Sequence, residues 1–346
     1  YYHTTITLKF QNYEAKVKWI PLYNNPMFYK DKDNKHFASK PMFGVEIQTT
    51  ESGFEGQEHQ FGATSEFGYL TLDQIVKVLE EAIKQHPGPN VPKDLSEVLY
   101  VDASKLFDII PTRHDQQLPP ILEGLRAKLA KNALIYLPYR AAVLADVPQT
   151  ALQTTDGTGF GCKHNLVITD KLPFFAPHDI QLNSDCYASY TRRVTSQGKG
   201  RVDYATLVLP YGLTVNGDGV HINNAGDSSR FCMGTIHENS LVYKNGDKNN
   251  HEGGDYGITA HLIKLDAGKS EANKPYIINI LPGFGDANVS FVANEKGALI
   301  KKTPDAPSGL LASDAVNCKI RNVNTSLKSY YTYAGHKISK NGNEIV

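Results

Sequence analysis

From Leu166 onward no window of the chain keeps a helical period, although that stretch is about half of the 346 residues. Short apolar runs follow one another instead: Asn165–Asp170 leading into Leu172–Pro177, then Ala188–Val194, then Ala205–Tyr211. Each is rich in β-branched and aromatic side chains, which fit a pleated surface, and is bounded by Gly, Pro, Asn or Asp, which supply turns. Further strand texts are Val220–Ile222, Leu241–Tyr243, Gly257–Leu265, Tyr276–Leu281, Val289–Val292, Ala298–Lys301 and Tyr330–Tyr333. Turn texts such as Asn216-Gly-Asp-Gly219, Asn245-Gly-Asp247 and Asn341-Gly-Asn343 separate them. This spacing predicts an antiparallel β-sandwich over residues 165–346.

Upstream the period changes. Residues 4–20 alternate, with Ile6, Leu8 and Phe10 against Thr5, Thr7 and Lys9, and Val17 and Trp19 repeat the pattern. Two strands with one solvated face are expected, and Phe43–Gln48 reads as a third. At Thr71 a capping box with Gln74 opens a helix whose Leu72, Ile75, Val76, Leu79 and Ile83 share one face. Pro87-Gly-Pro-Asn-Val-Pro92 ends it, and a second helix is expected over Pro120–Lys131. The texts Val98–Asp102, Ala133–Pro138 and Asn165–Thr169 recur at nearly equal spacing, as successive parallel strands would. The expected fold is mainly β and α+β overall: an α+β unit with short parallel strands at 1–164, then the sandwich. A chain of this length favours two domains over one.

Lys+Arg and Asp+Glu both number 36, with no block of like charge, so a nucleic-acid partner is not expected. No apolar run approaches the roughly 18 residues of a membrane span. Cys162, Cys186, Cys232 and Cys318 form no C-x-x-C, which argues against a zinc ribbon or a thioredoxin-like motif. Buried thiols and one or two disulfides both remain open.

The ordered phrases Val98-Leu-Tyr-Val-Asp102, Asn132–Pro138, Cys162 with Asn165–Asp170, Pro173–Pro177, Ala188–Arg192, Thr206–Pro210 and Glu271–Tyr276 carry a resemblance. From about Leu95 on, the chain resembles a tail module of secreted and cell-surface multidomain proteins of Bacteroidetes, of the kind that often follows leucine-rich repeats. The resemblance implies a location outside the cytoplasm and a modular, non-catalytic role. Residues 1–94 match none of its phrases.

No catalytic signature stands out. The dense polar loop Asn245–Asp255 offers oxygen-bearing side chains at Asp247, Asn249, Glu252 and Asp255 among glycines. A hard cation takes six or more oxygens from such a flexible turn, so Ca²⁺ is the candidate ion, against a solvated hairpin loop. His251, Glu252 and His261 are not set on a helix as a zinc protease would need. Glu51, Glu55, Glu58 and Glu66 could supply a carboxylate pair for a secreted hydrolase acting on polysaccharide or peptide. Gly157-Thr-Gly-Phe-Gly161 fails the strand-then-helix context of a dinucleotide site and reads as a loop. Cys162 near His164 reads as a structural thiol. Tyr23, Phe28, Tyr29 and Phe37, interleaved with Asn24, Asn25, Asp31 and Asp33, can stack on sugar faces while hydrogen-bonding hydroxyls. The expected function is therefore an adhesion or ligand-binding module for a glycan or host protein, with a secreted hydrolase and a structural stalk as rivals.

Overall fold

The structure is a computed structural model that describes residues 3–10, 14–22, 28–30, 37–39, 41–50, 72–106, 121–138, 148–162, 164–183, 185–194, 203–214, 220–223, 231–236, 242–244, 257–259, 262–265, 270–280, 287–293 and 297–304. In chain order the first strands are β1 (Thr4–Lys9), β2 (Glu14–Pro21), β3 (Phe28–Lys30), β4 (Phe37–Ser39) and β5 (Phe43–Thr50). Helix α1 (Leu72–Gln85), β6 (Val98–Lys105), helix α2 (Ile121–Lys128) and β7 (Leu134–Leu137) follow. Next come β8 (Thr150–Gln153), β9 (Phe160–Cys162), β10 (Leu166–Thr169), β11 (Ile180–Gln181) and β12 (Ala188–Val194). Among the described residues the elements that follow are all strands: β13 (Asp203–Leu207), β14 (Val220–Asn223), β15 (Phe231–Ile236), β16 (Val242–Lys244), β17 (Gly257–Thr259), β18 (Leu262–Lys264), β19 (Tyr276–Ile280), β20 (Ala287–Ala293) and β21 (Leu299–Ile300). The expected mainly-β fold is observed: among the described residues helices α1 and α2 and the parallel centre of the large sheet lie in the N-terminal part, and mainly antiparallel pairing lies beyond it. Among the described residues no helix is long and apolar enough to cross a membrane.

Two compact units form, Tyr1–Thr191 with Val292–Asp305 and Arg192–Phe291 with Ala306–Val346. The first holds a nine-stranded sheet in the order β1-β2-β5-β6-β7-β8-β9-β11-β21. Its centre, β5-β6-β7-β8, is parallel, while β1-β2-β5 is antiparallel. Parallel neighbours need a crossover, and α1 and α2 stand in the β5-to-β6 and β6-to-β7 connections. Strand β10, whose text resembles β6 and β7, is not their neighbour and pairs in parallel with β12.

Cross-strand partners share a face, so register assigns each row of the sheet to one side. Trp19, Val45, Val101 and Ile135 form one row. They are fully buried with Ile75, Val78, Leu79 and Ala82 of α1 and Leu125 of α2. The adjacent row faces the other way and is largely polar: Lys18, Glu46, Asp102, Tyr136, Ala151, Cys162. Lys18 Nζ lies 3.6 Å from Glu46 at its edge.

Gly44 pairs with Tyr100 on this second face, and a Cβ at Gly44 would sit 2.1 Å from the Tyr100 ring. The ring therefore lies directly over bare backbone. Gly44→Ala is expected to cost about 1–3 kcal/mol through forced displacement of Tyr100. Urea denaturation of the variant against wild type checks this, and an unchanged midpoint would refute it.

The second unit contains the antiparallel sheet β13-β19-β15-β18 and the antiparallel pairs β14·β20 and β16·β17. Leu209, Tyr211 and Leu213 alternate as buried positions, and Met233, Ile278, Val289 and Phe291 are buried as well. The Tyr211 hydroxyl donates to the Phe291 carbonyl at 2.9 Å. Ser270 Oγ accepts from the Leu213 N–H at 2.8 Å, and Gly212 leaves room for the Ser270 carbonyl, which a Cβ would approach to 2.5 Å.

Candidate functional site

The polar row of the first unit places a carboxylate in the middle of a parallel sheet. Asp102 on β6 is 7% exposed. A charge so placed is costly unless it is paired and hydrogen-bonded. Its Oδ1 accepts from the Ser104 N–H at 3.1 Å and from Ser104 Oγ at 2.6 Å, and its Oδ2 meets His178 Nε2 at 2.7 Å. Burial acts to raise this carboxyl, but the bonds from His178 and Ser104 outweigh it and hold Asp102 below the usual carboxylate value. Bonded to a charged carboxylate, Nε2 carries the proton, and in the neutral ring Nδ1 is then the basic nitrogen.

Aromatic rings flank the imidazole on two sides. His178 stacks on Phe160 with centroids 4.9 Å apart and meets Tyr136 edge-on at 5.2 Å. The Tyr136 hydroxyl donates to the His178 carbonyl at 3.1 Å, and Tyr100 stacks on Phe175 at 5.8 Å. Phe160 of β9 and Tyr136 of β7 belong to the sheet, whereas Phe175 and His178 come from the segment between β10 and β11. The His178 side chain keeps 41% of its surface exposed.

That segment is held at both ends. The fully buried Asn132 side chain donates to the carbonyls of Thr169 and Leu172 and accepts from the Thr169 N–H. The turn before β7 that presents Asn132 is itself gripped by Arg126 of α2, which donates to the carbonyls of Ala130, Lys131 and Ala133 and to Gln149. Burial lowers the Arg126 guanidinium to about 10. At the other end Ala176 exchanges two hydrogen bonds with Thr303, and Asp179 accepts from Lys301 Nζ and the Lys302 N–H.

The linkage for Asp102 has a definite sign. A carboxyl depressed in the native state contributes stability that is fully present above its unfolded value, about 3.9, and is lost as the pH falls through the native one. Urea unfolding from pH 7 to pH 2 is therefore expected to show wild type losing more stability on acidification than Asp102→Asn. Parallel curves would refute the assignment.

Among the expected site residues, Phe28, Tyr29 and Phe37 lie on one antiparallel ribbon, β3 with β4, where Phe28 pairs with Ser39, Tyr29 with Ala38 and Lys30 with Phe37. Tyr23 lies outside the described residues, as do Glu51, Glu55, Glu58 and Glu66 and the calcium candidates Asp247, Asn249, Glu252 and Asp255. His251 and His261 also lie outside them. Among the described residues no group of three or more His, Cys, Asp or Glu is arranged to hold a metal ion. Cys162 is buried, and burial together with the facing Cys186 thiol pushes it up to about 12, so it is no poised nucleophile. Asp102 and His178 were not among the expected site residues; the one signal in the text was a carboxylate closing an otherwise apolar strand. The chain matches no family model, no curated protein and no solved structure.

Proposed function

We propose that this chain is a non-catalytic extracellular module that binds a glycan or a surface protein through aromatic side chains on a rigid β scaffold. The observation that carries the reading is the half-exposed His178 ring, stacked on Phe160 and braced from below by the buried Asp102. Sugar recognition needs an apolar ring beside hydrogen-bonding groups whose positions are fixed before the ligand arrives. Three of the aromatic residues singled out from the sequence, Phe28, Tyr29 and Phe37, share the β3–β4 ribbon. The resemblance to the Bacteroidetes tail module supports a location outside the cytoplasm.

A glycan array and a cell-surface binding assay test the reading. Wild type is expected to bind, and His178→Ala, Phe160→Ala or the triple Phe28→Ala/Tyr29→Ala/Phe37→Ala to weaken binding about tenfold or more. Wild type blank in both assays would overturn it in favour of a structural stalk.

The Asp102–His178 pair favours one second reading, a secreted hydrolase, because a carboxylate-oriented imidazole is part of a general-base arrangement. Turnover on a polysaccharide or peptide panel that His178→Ala abolishes would establish it and displace the binding-only reading.

A further inference from the structure

We propose that Cys162 and Cys186 are joined as a disulfide when the chain folds in an oxidising environment. Strands β9 and β11 run parallel, with Phe160 opposite Ile180 and Gly161 opposite Gln181, so Cys162 ends one strand where the other leaves the sheet. Asn183 then turns the chain back: its side-chain amide donates to the Cys162 carbonyl at 2.6 Å, and its own carbonyl accepts from the Cys186 N–H at 3.1 Å. Both cysteines are thus anchored to the same residue. The Cys186 thiol donates to the Cys162 carbonyl at 3.6 Å, and the Cys162 thiol donates to the His164 carbonyl, so the two side chains lie side by side. Both are free and buried in the structure, at 0% and 6% exposure.

The chemistry balances with a small-molecule disulfide such as glutathione disulfide. One cysteine thiolate attacks it, forming a mixed disulfide and releasing one glutathione thiolate; the second cysteine attacks the protein sulfur and releases the other. The two protein thiols lose two electrons, the oxidant gains them, and the two protons leave on the released glutathiones. Burial makes the folded Cys162 a poor thiolate, so the bridge forms during folding, before the pair is enclosed. It closes the loop 163–185, which carries Phe175 and His178. The proposal rests on this geometry alone and stands whether or not the chain binds a glycan.

The full chain, reduced and denatured, is refolded in a glutathione redox buffer and mapped by mass spectrometry without reduction. Expected are a joined Cys162–Cys186 peptide pair lighter by two hydrogens and a Tm about 5–10 °C above that of the reduced protein. Cys162→Ser and Cys186→Ser should each abolish the pair and make Tm insensitive to reductant. Native reduced protein given the same buffer should form the bridge at least about tenfold more slowly. Both cysteines alkylated after refolding, or either joined to Cys232 or Cys318, would overturn the proposal. Where refolding yields aggregate, the same mapping is applied to the chain secreted into an oxidising compartment, with the same two outcomes.

Discussion

Asn132→Ala is expected to cost about 3–4 kcal/mol and to release the segment that carries His178. The side chain is fully buried and makes three backbone contacts: to the Thr169 carbonyl at 3.0 Å, to the Leu172 carbonyl at 3.1 Å and from the Thr169 N–H at 2.8 Å. Truncation leaves one donor and two acceptors in a part-buried setting without this partner, and orphaning a buried group costs about 1–3 kcal/mol before relaxation and rehydration. Asn132→Asp keeps the acceptor for Thr169 but turns a carboxylate oxygen toward two carbonyls, so it should be at least as damaging. Urea denaturation gives the loss, and amide exchange gives its location: protection should fall first across residues 166–180. A loss under about 1 kcal/mol with unchanged exchange would show that Asn132 does not hold the segment. If the segment positions His178 for a ligand, the same variant should also weaken binding without touching the ligand.

Asn132 also explains why strand order was less legible than strand existence. Alternation at residues 4–20 could be read because a half-solvated antiparallel pair imprints its two faces directly. Ile6, Leu8, Val17 and Trp19 are buried, and Thr5 and Thr7 are exposed. The helix at α1 was equally plain, since Ile75 and Leu79 repeat at its period and both are buried. Parallel partners, by contrast, are joined by long crossovers and leave no turn signal at the pairing. Leu166–Thr169 has the same apolar text as Val98–Asp102 and Leu134–Leu137, yet Asn132 occupies the Thr169 N–H and carbonyl, the backbone groups that a further strand would use. A single polar side chain thus closes that edge, and no periodicity announces it.

The candidate site was less legible still, because its two ionisable members lie 76 residues apart and neither sits in a recognisable motif. Asp102 closes the strand text Val98–Asp102, and His178 stands just after the phrase Pro173–Pro177 with no signal of its own. What could have been flagged is the cost of Asp102: a carboxylate within a buried parallel strand requires partners from elsewhere in the chain. The aromatic phrase Pro173–Pro177 was read as a strand, whereas it is an irregular connection whose Phe175 stacks on Tyr100. Local text shows that such residues are buried, but register decides what they are buried against. The phrase Glu271–Tyr276 is an instance where local text does encode local structure. Its Tyr276 hydroxyl accepts from the Glu271 N–H at 2.8 Å, and Lys274 pairs with Glu271 at 2.7 Å, so the turn closes on itself.

Tyr136 tests whether the platform under His178 is structural as well as positional. The residue is 0% exposed, edge-on to Phe160 at 4.9 Å and to His178 at 5.2 Å. Burial pushes its phenol well above the usual value, so the hydroxyl remains a donor to the His178 carbonyl across the working pH range. Tyr136→Ala removes a buried ring and leaves a cavity, and a loss of about 3–5 kcal/mol is expected. Tyr136→Phe keeps the ring and deletes only the bond, for about 1 kcal/mol. The difference separates packing from hydrogen bonding at one position. Both losses are read from urea denaturation, and the His178 ring protons report the site, since removing the edge-on ring should shift them in Tyr136→Ala far more than in Tyr136→Phe. Equal losses for the two variants would mean that the hydroxyl bond, and not the ring, supports the site. A shift of the His178 signals in neither variant would detach Tyr136 from the platform altogether.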